Sequence, residues 1–351
     1  MGNVRDATVA QLADYDDIID VRSPAEYAED HIPGAISAPV LSNEERAQVG
    51  TLYAQVSPFE AKRRGAALIA RNIARHLDTL FHDKPKQWHP LVYCWRGGQR
   101  SGAMSHILGQ VGWRVDRLEG GYKTYRRHVV AELERLPAHL QFQVICGATG
   151  SGKSRLLHVL QEQGAQVLDL EQLAQHRGSL LGNLPDEPQP GQKMFETRLW
   201  DALRHFKPDG PVFVEAESRK IGNLALPDAL LEKIRASDCI VIDAPLSTRI
   251  ALLQEEYAHF LHDPELLAQR LAPLTAMHGR KVIDEWNAMA QRGDWPALVG
   301  ELLSHHYDPA YHRSTNANFS QLKQARVLHA ESLDYAQLRL ITAPLLQLPE
   351  K

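Results

Sequence analysis

The sequence predicts an α/β protein in two parts, the second of them a doubly wound parallel sheet. Three observations carry this. Apolar runs of strand length recur along the chain, with stretches of helical period between them. Two of those runs end directly in glycine-rich turns that open a helix. The length, 351 residues, suits two domains, and 44% hydrophobic with 23% charged residues is ordinary for a globular chain.

In the first part, Asp20, Arg22 and Glu26 read as a strand end, a charge pair and a helix start, hence as structural ion pairs. His31-Ile32-Pro33-Gly34 reads as a turn before the apolar run Ala35 to Val40, which makes His31 structural too. A helix follows whose apolar face is Ala67, Ile69, Ile73, Leu77 and Leu80. Lys62, Arg63, Arg64, Arg71 and Arg75 cluster on the same helix. Leu91 to Tyr93 read as a buried strand closed by Cys94, and Ala103, Ile107, Leu108 and Val111 give the period of a helix from Ser101. Another helix begins around Tyr122, and the domain boundary falls near Glu134 to Ala138, giving domains 1–135 and 136–351.

Cys94-Trp95-Arg96-Gly97-Gly98-Gln99-Arg100-Ser101 is the most informative stretch. A strand, a glycine-rich loop and a helix N-terminus aim N–H groups and the positive helix end at one point. The thiol of Cys94 sits at that point, so its pKa should fall and make a thiolate nucleophile in an anion nest. The nest comprises Arg96, Gly97, Gly98, Gln99, Arg100 and Ser101. A buried cysteine beside a turn is the bland alternative, but two arginines and paired glycines serve no buried core.

Together with Ile19 to Tyr27 and His31 to Ala35, this loop closely resembles the rhodanese family, in which a loop cysteine carries a persulfide or selenosulfide. Residues 41–89 exceed what a minimal domain of that family needs and read as a helical insertion. Arg100 lies six positions after Cys94, where common rhodanese loops place arginine five after. The wider loop resembles that of cysteine phosphatases and arsenate reductases, which hold tetrahedral oxyanions.

In the second part, Gln141 to Cys146 reads as a strand, and Gly147-Ala148-Thr149-Gly150-Ser151-Gly152-Lys153-Ser154 follows it directly. This is G-x-x-x-x-G-K-S, the P-loop, with Leu156, Leu157 and Leu160 continuing at helical spacing. Gly147, Gly150 and Gly152 let the backbone wrap a phosphate, Lys153 supplies a point charge, and Ser154 can reach Mg²⁺. Strand-length runs recur at 166–169, 211–215, 239–243 and 325–328. Ligands in such sheets sit at the carboxyl ends of strands. Glu215, or Glu217, is therefore a candidate metal-positioning or base carboxylate, and Asp169 a candidate substrate contact. Both could equally cap the elements that follow them. Residues 176–193 read as a long loop over the phosphate site, with Arg177 and Lys193 as candidate anion clamps.

No run approaches the ~18 apolar residues of a membrane span. The amino terminus has no signal-peptide core, and three cysteines argue against a disulfide framework, which points to the cytoplasm. No cysteine–histidine spacing suggests zinc, no metal is certain, and the oligomeric state stays open, a monomer being compatible. The net charge of −4 does not advertise nucleic-acid binding, so any RNA contact must be local. Candidates are Arg63, Arg64, Arg71 and Arg75, with Arg114 to Arg127 after the cysteine loop as the alternative.

A rhodanese-like α/β domain followed by a P-loop domain, with Asp169-Leu170-Glu171 and His176-Arg177-Gly178-Ser179, resembles the bacterial tRNA 2-selenouridine synthase family. The resemblance implies replacement of sulfur by selenium in wobble 2-thiouridine of tRNA. It further implies selenophosphate as selenium donor, geranyl diphosphate as prenyl donor, S-geranyl-2-thiouridine as intermediate, and no tightly bound cofactor. Two other classes stay open: a nucleotide-dependent kinase with a regulatory rhodanese module, and a phosphatase or arsenate reductase fused to a nucleotide-binding domain.

Overall fold

The computed structural model describes residues 4–185 and 187–346; Met1, Gly2 and Asn3, and Asp186 of the long loop, lie outside the described residues. The chain forms two compact units, and the division is not linear in sequence. The first takes the chain up to Glu132 together with Gly191–Asp201; the second takes Leu133–Pro190 and everything from Ala202.

In the first unit, β1 (Arg5–Ala7), β2 (Asp17–Asp20), β3 (Ile36–Ser37), β4 (Pro90–Tyr93) and β5 (Asp116–Leu118) form one sheet. Its order is β1-β5-β4-β2-β3 and every pairing is parallel. A strand in the middle of such a sheet is covered on both faces, so it reads as an unbroken apolar run. All four residues of β4 are buried accordingly. Helices α1 (Pro24–Glu29), α2 (Asn43–Gln55), α3 (Pro58–Thr79), α4 (Gln99–Val111) and α5 (Gly121–Arg135) surround it, and α5 runs on into the second unit.

The inserted segment is α2 and α3, and the buried face of α3 differs from the one its period predicts. Ala67 and Leu80 are exposed, Ile69 and Leu77 half-buried, while Ala61, Gly65, Leu68, Asn72, Ile73 and His76 point inward. The reason is polar. Asn72 Nδ2 donates to Val40 O at 3.1 Å and to Glu45 at 2.8 Å, and His76 Nε2 lies 2.9 Å from Pro39 O. The extended segment before α2 has carbonyls that no strand pairs, and buried carbonyls need donors. Apolar periodicity cannot register that demand. Ile73, Phe81 and Trp88 complete the core around Ile19, Val92 and Cys94.

In the second unit, β6 (Gln141–Cys146), β7 (Gln166–Leu168) and β8 (Pro211–Glu215) precede a two-stranded hairpin, β9 (Lys220–Ile221) with β10 (Leu224–Ala225). Next come β11 (Asp238–Asp243) and β12 (Arg326–His329). The main sheet is β12-β11-β6-β8-β7, again wholly parallel. Helix α6 (Lys153–Glu162) follows β6, and α7 (Leu170–Ala174) follows β7. Between β11 and β12 the chain is almost entirely helical, with its own apolar core around Trp286, Leu271 and Leu298. Cys146 and Cys239 are buried on neighbouring strands, and all three cysteines are free.

Helix α8 (Gln192–Leu203) lies, up to Asp201, in the first unit. There Trp200 meets Tyr125 edge-on at 5.6 Å, Arg126 pairs with Glu196, and Lys193 Nζ pairs with Glu29 at 2.6 Å. Lys193 is thus spent on a carboxylate and is not the anion clamp its loop position suggested.

Asn72→Leu should cost about 1–3 kcal/mol, because Val40 O and Glu45 lose a buried donor. Urea unfolding measures it. An unchanged midpoint would assign the docking of α3 to apolar contacts alone.

Candidate functional site

Each unit carries one glycine-rich turn at the carboxyl end of the middle strand of its sheet. In the first, Cys94 leaves β4, and α4 starts at Gln99 with Gly98 as N-cap. The Gly98 N–H donates to Sγ at 3.3 Å, and Ser101 Oγ lies 3.2 Å from it. Burial alone would raise the thiol pKa. The Ser101 hydroxyl, the N–H groups of Ser101 and Arg96 and the charge of Arg100 outweigh it and bring the pKa below its ordinary value. Cys94 is only 3% exposed, so its sulfur is sheltered by the loop around it.

The other side of the loop is closed by the start of α5. Tyr122 and Lys123 donate N–H bonds to Cys94 O and Trp95 O at 2.8 and 3.1 Å. Gly121 sits at φ +59°, and a Cβ there would stand 2.2 Å from Cys94 O and 2.6 Å from Gly97 N. Only glycine allows that approach.

Of the expected nest residues, Arg96, Gly98 and Gln99 are exposed, Gly97 and Arg100 half-buried, and Ser101 buried. Arg100 departs from its expected role. Its Nη1 lies 2.6 Å from Glu26 Oε2, and Arg46 Nε approaches the same carboxylate at 3.1 Å. Glu26 is the capping-box partner of Ser23, so it is fixed in place before Arg100 arrives. Glu26 therefore pairs with Arg100 and Arg46, whereas Arg22 pairs with Asp20 at 2.7 Å. An adjacent cleft of about 590 Å³ is lined by Ser23, Glu26, Arg46, Trp95 and Arg100. His31 is structural, stacked on Tyr27 and bonded to its carbonyl.

In the second unit, β6 runs into the turn 147–154, and Gly152, at φ +83°, is the N-cap of α6. Lys153 Nζ lies 2.9 Å from Gly147 O, the Gly147 N–H donates to Tyr311 Oη at 2.7 Å, and Ser154 Oγ donates to Glu171 at 2.9 Å. Arg249 anchors the turn: its Nε donates to Thr149 O at 2.9 Å while Asp308 holds the guanidinium bidentately. The turn opens on a cleft of about 700 Å³ whose lining includes Lys153, Ser154, Asp169, Glu171, Arg177 and Glu217.

Glu215 does not face that cleft. It is buried, accepts the Glu171 N–H at 2.7 Å, and so positions Glu171 from behind. Burial, then Asp169 and Glu171, push its pKa well up. Glu217 is the carboxylate that faces the cleft, pushed up to about 8 by burial and by Glu171. Asp169 caps α7 through the Gln172 N–H at 2.7 Å while still lining the cleft. Arg177 lies in the cleft wall, its guanidinium 4.8 Å over the Tyr257 ring and bonded to Glu256 O. Beyond Leu253, Tyr257 and Tyr307 the cleft adjoins a second one, lined almost wholly by apolar side chains. The Arg249–Asp308 pair and this apolar cleft carry no local sequence signal, since their residues lie tens of positions apart.

Among the described residues, no group of three or more histidine, cysteine, aspartate or glutamate side chains is set to hold a metal, and no helix could cross a membrane.

A family model described as the tRNA 2-selenouridine synthase AAA domain matches residues 140–271, and a rhodanese-like domain model matches 6–128. The chain is similar to the tRNA 2-selenouridine synthase of Nitrosomonas europaea, 37% identical over 276 residues, 76% of this chain and 69% of that protein. The Aeromonas salmonicida protein of the same name is 37% identical over 247 residues, 70% and 65% of the two chains. That of Shewanella loihica is 33% identical over 329 residues, 86% and 87%. The chain belongs to the tRNA 2-selenouridine synthase family.

Glu26 yields a pH prediction. Burial alone would raise its pKa, but Arg100, the Ser23 N–H and Arg46 hold it at about 2 against an ordinary 4.5. Its contribution to stability is then full above pH about 4.5 and lost as pH falls through about 2. Glu26→Gln should flatten the acid limb of stability in that window, read as thermal midpoints across a pH series. An acid limb identical to wild type would mean the pair adds nothing to folding.

Proposed function

We propose that this family member converts 2-thiouridine at the tRNA wobble position to 2-selenouridine in two chemically separate steps, one at each turn. The observation behind this reading is that one turn holds a cysteine while the other holds none and opens onto an apolar wall. The second suits a diphosphate with a hydrocarbon tail, here geranyl diphosphate.

In the first step the diphosphate lies on the N–H groups of the turn 147–154 and on Lys153. The thiouridine sulfur attacks C1 of the geranyl group and the C1–O bond breaks. Diphosphate leaves with the bonding pair, and uridine N3 gives up its proton. Ser154 and Glu171 offer the oxygen donors Mg²⁺ takes, and Glu217 and Asp169 line the same cleft. A cation held partly by water and diphosphate needs no three-carboxylate cage. Bound there, Mg²⁺ would neutralise the leaving diphosphate.

In the second step the Cys94 nest takes selenophosphate, a tetrahedral oxyanion matched to convergent N–H groups. Cys94 Sγ attacks phosphorus, the P–Se bond breaks with its pair on selenium to give selenide, and water then frees phosphate from the sulfur. Selenide adds at C2 of the S-geranylated base, and geranyl thiolate leaves with the C2–S pair. S-alkylation is what turns the sulfur into a competent leaving group. Arg100 remains within reach of the nest as a charge, though Glu26 holds its guanidinium.

The tRNA backbone needs cations that are exposed and unspent. Arg64, Arg71 and Arg75 are exposed on α3, Arg75 with a 3.4 Å bond to the Asn72 side-chain oxygen, and their spacing places them within roughly 40° of one another around the helix. Arg63 is turned away and pairs with Glu60 at 2.7 Å. In the alternative cluster, Arg117 pairs with Asp6 at 3.1 Å and Arg126 with Glu196. The α3 stripe is the better phosphate contact, and a tRNA substrate places the protein in the cytoplasm.

Cys94→Ala should abolish selenium incorporation and leave geranyl transfer largely intact; selenation at a comparable rate would remove Cys94 from the pathway. Lys153→Ala should weaken geranyl diphosphate binding about ten- to a hundredfold, for one charge-assisted contact of about 1.5–3 kcal/mol. Selenation of pre-geranylated tRNA should survive that substitution, and unchanged geranyl diphosphate use would place this substrate elsewhere.

Changing Arg64, Arg71 and Arg75 together to alanine should weaken different tRNAs alike and flatten log K against log salt by roughly 0.7 to 0.9 per contact. Binding isotherms across a salt series that coincide with wild type would assign α3 to a solvated face.

A further inference from the structure

We propose that the apolar cleft beside the phosphate turn is the subsite for the prenyl chain, and that its helical floor sets how long a chain the protein accepts. This rests on the prenyl-diphosphate reading above and adds to it the residues that measure the substrate.

The cleft is walled by the helix Leu246–Glu256, the helix Trp295–Leu302 and the π-helical turn Leu303–Tyr307. Its mouth is common to both clefts: Thr149 of the phosphate turn, Ser179, Leu253, Tyr257 and Tyr307 line each of them. No charged side chain lines the apolar one. A ligand spanning the two must be multiply anionic at one end and hydrocarbon at the other. A nucleobase fits this poorly, since its ring nitrogens and amino groups would be desolvated among leucines. A prenyl chain loses nothing there, and each methylene removed from water strengthens binding about fourfold.

The floor limits the length. Phe260, Leu267, Leu298 and Leu302 face the cleft and also belong to the packed core of the helical block. Leu298 and Leu302 are one helical turn apart and present one surface. The open space is about 70 Å³. At ~10–15 Å³ of such space per water, it holds a body of roughly five to seven waters, the scale of a short branched chain. A longer chain would have to displace core side chains, which resist compression. The π turn, whose register slip is a frequent mark of functional sites, carries Tyr307 to the junction of the clefts.

The test is transfer from dimethylallyl, geranyl and farnesyl diphosphate to a 2-thiouridine anticodon stem–loop, for the full chain and two variants. Val299→Phe fills the cleft from a half-buried position, so it costs folding little. It should lower kcat/KM for geranyl diphosphate at least about tenfold while dimethylallyl transfer is kept. Leu302→Ala deepens the floor and should raise farnesyl relative to geranyl transfer about tenfold. Competition by inorganic diphosphate, equal in all three proteins, reports an intact phosphate turn. If diphosphate competes normally and both variants keep the wild-type order, the chain does not lie here and the proposal is overturned. If Leu302→Ala no longer binds diphosphate, Val299→Phe decides alone. A wild-type protein that transfers none of the three prenyl groups would instead remove the prenyl reading itself, and this subsite with it.

Discussion

The Cys94 loop depends on one wholly buried ion pair. Asp20 accepts bonds from the backbone N–H and guanidinium of Arg22 and from Tyr93 Oη at 2.7 Å. Arg22 Nη2 donates to Asp30 O at 2.6 Å, and its guanidinium lies 4.0 Å over the Tyr122 ring. Tyr122 in turn donates its hydroxyl to Asp30 and its N–H to Cys94 O. One charge pair thus joins the ends of β2 and β4, the exit of α1 and the start of α5 around a single loop. Burial alone would lower the Arg22 pKa, and Asp20 more than reverses it. Such a pair brings little net stability, because desolvation consumes its attraction, yet removing one partner typically costs about 3–5 kcal/mol. What it supplies is position: the backbone that must converge on sulfur cannot relax away from it.

The phosphate turn is held by a lighter device. Arg249, clamped by Asp308, fixes one carbonyl, and Tyr311 takes the N–H of Gly147. Behind it stands a layered set of carboxylates. Glu215 is sealed in and orders Glu171, which reaches Ser154, while Glu217 fronts the cleft. Burial first, and then their neighbouring carboxylates, raise the pKa of all three. The layering separates the carboxylate that shapes the site from those that can meet a ligand.

Much of this was legible in sequence because it is local. Strand, glycine turn and helix are contiguous at Cys94 and at Lys153, so spacing alone discloses both strand–turn–helix units and the parallel sheets that carry them. The exceptions share a cause, since each depends on a partner distant in the chain. Arg100 finds Glu26 seventy-four residues away, Lys193 finds Glu29, and Asn72 and His76 turn inward toward the carbonyls of Val40 and Pro39. Strand-end position marked Glu215, but its side chain is buried behind Glu171, and Glu217, beyond the end of the strand, fronts the cleft. The apolar cleft is assembled from four separate segments, none unusual by itself.

The inserted helices carry a last consequence. Because Ile73, Phe81 and Trp88 share one core with Ile19, Val92 and Cys94, the insertion is not an ornament on a smaller domain but part of what excludes water from beneath the thiolate. Excising residues 41–89 to recover a minimal sulfurtransferase would uncover that underside, so the two cannot be exchanged as modules. The arginine stripe on α3 is therefore mounted on the same rigid body as the sulfur. On the proposed reading, a polyanion gripped by the stripe is indexed, to within the stiffness of that core, against Cys94 Sγ.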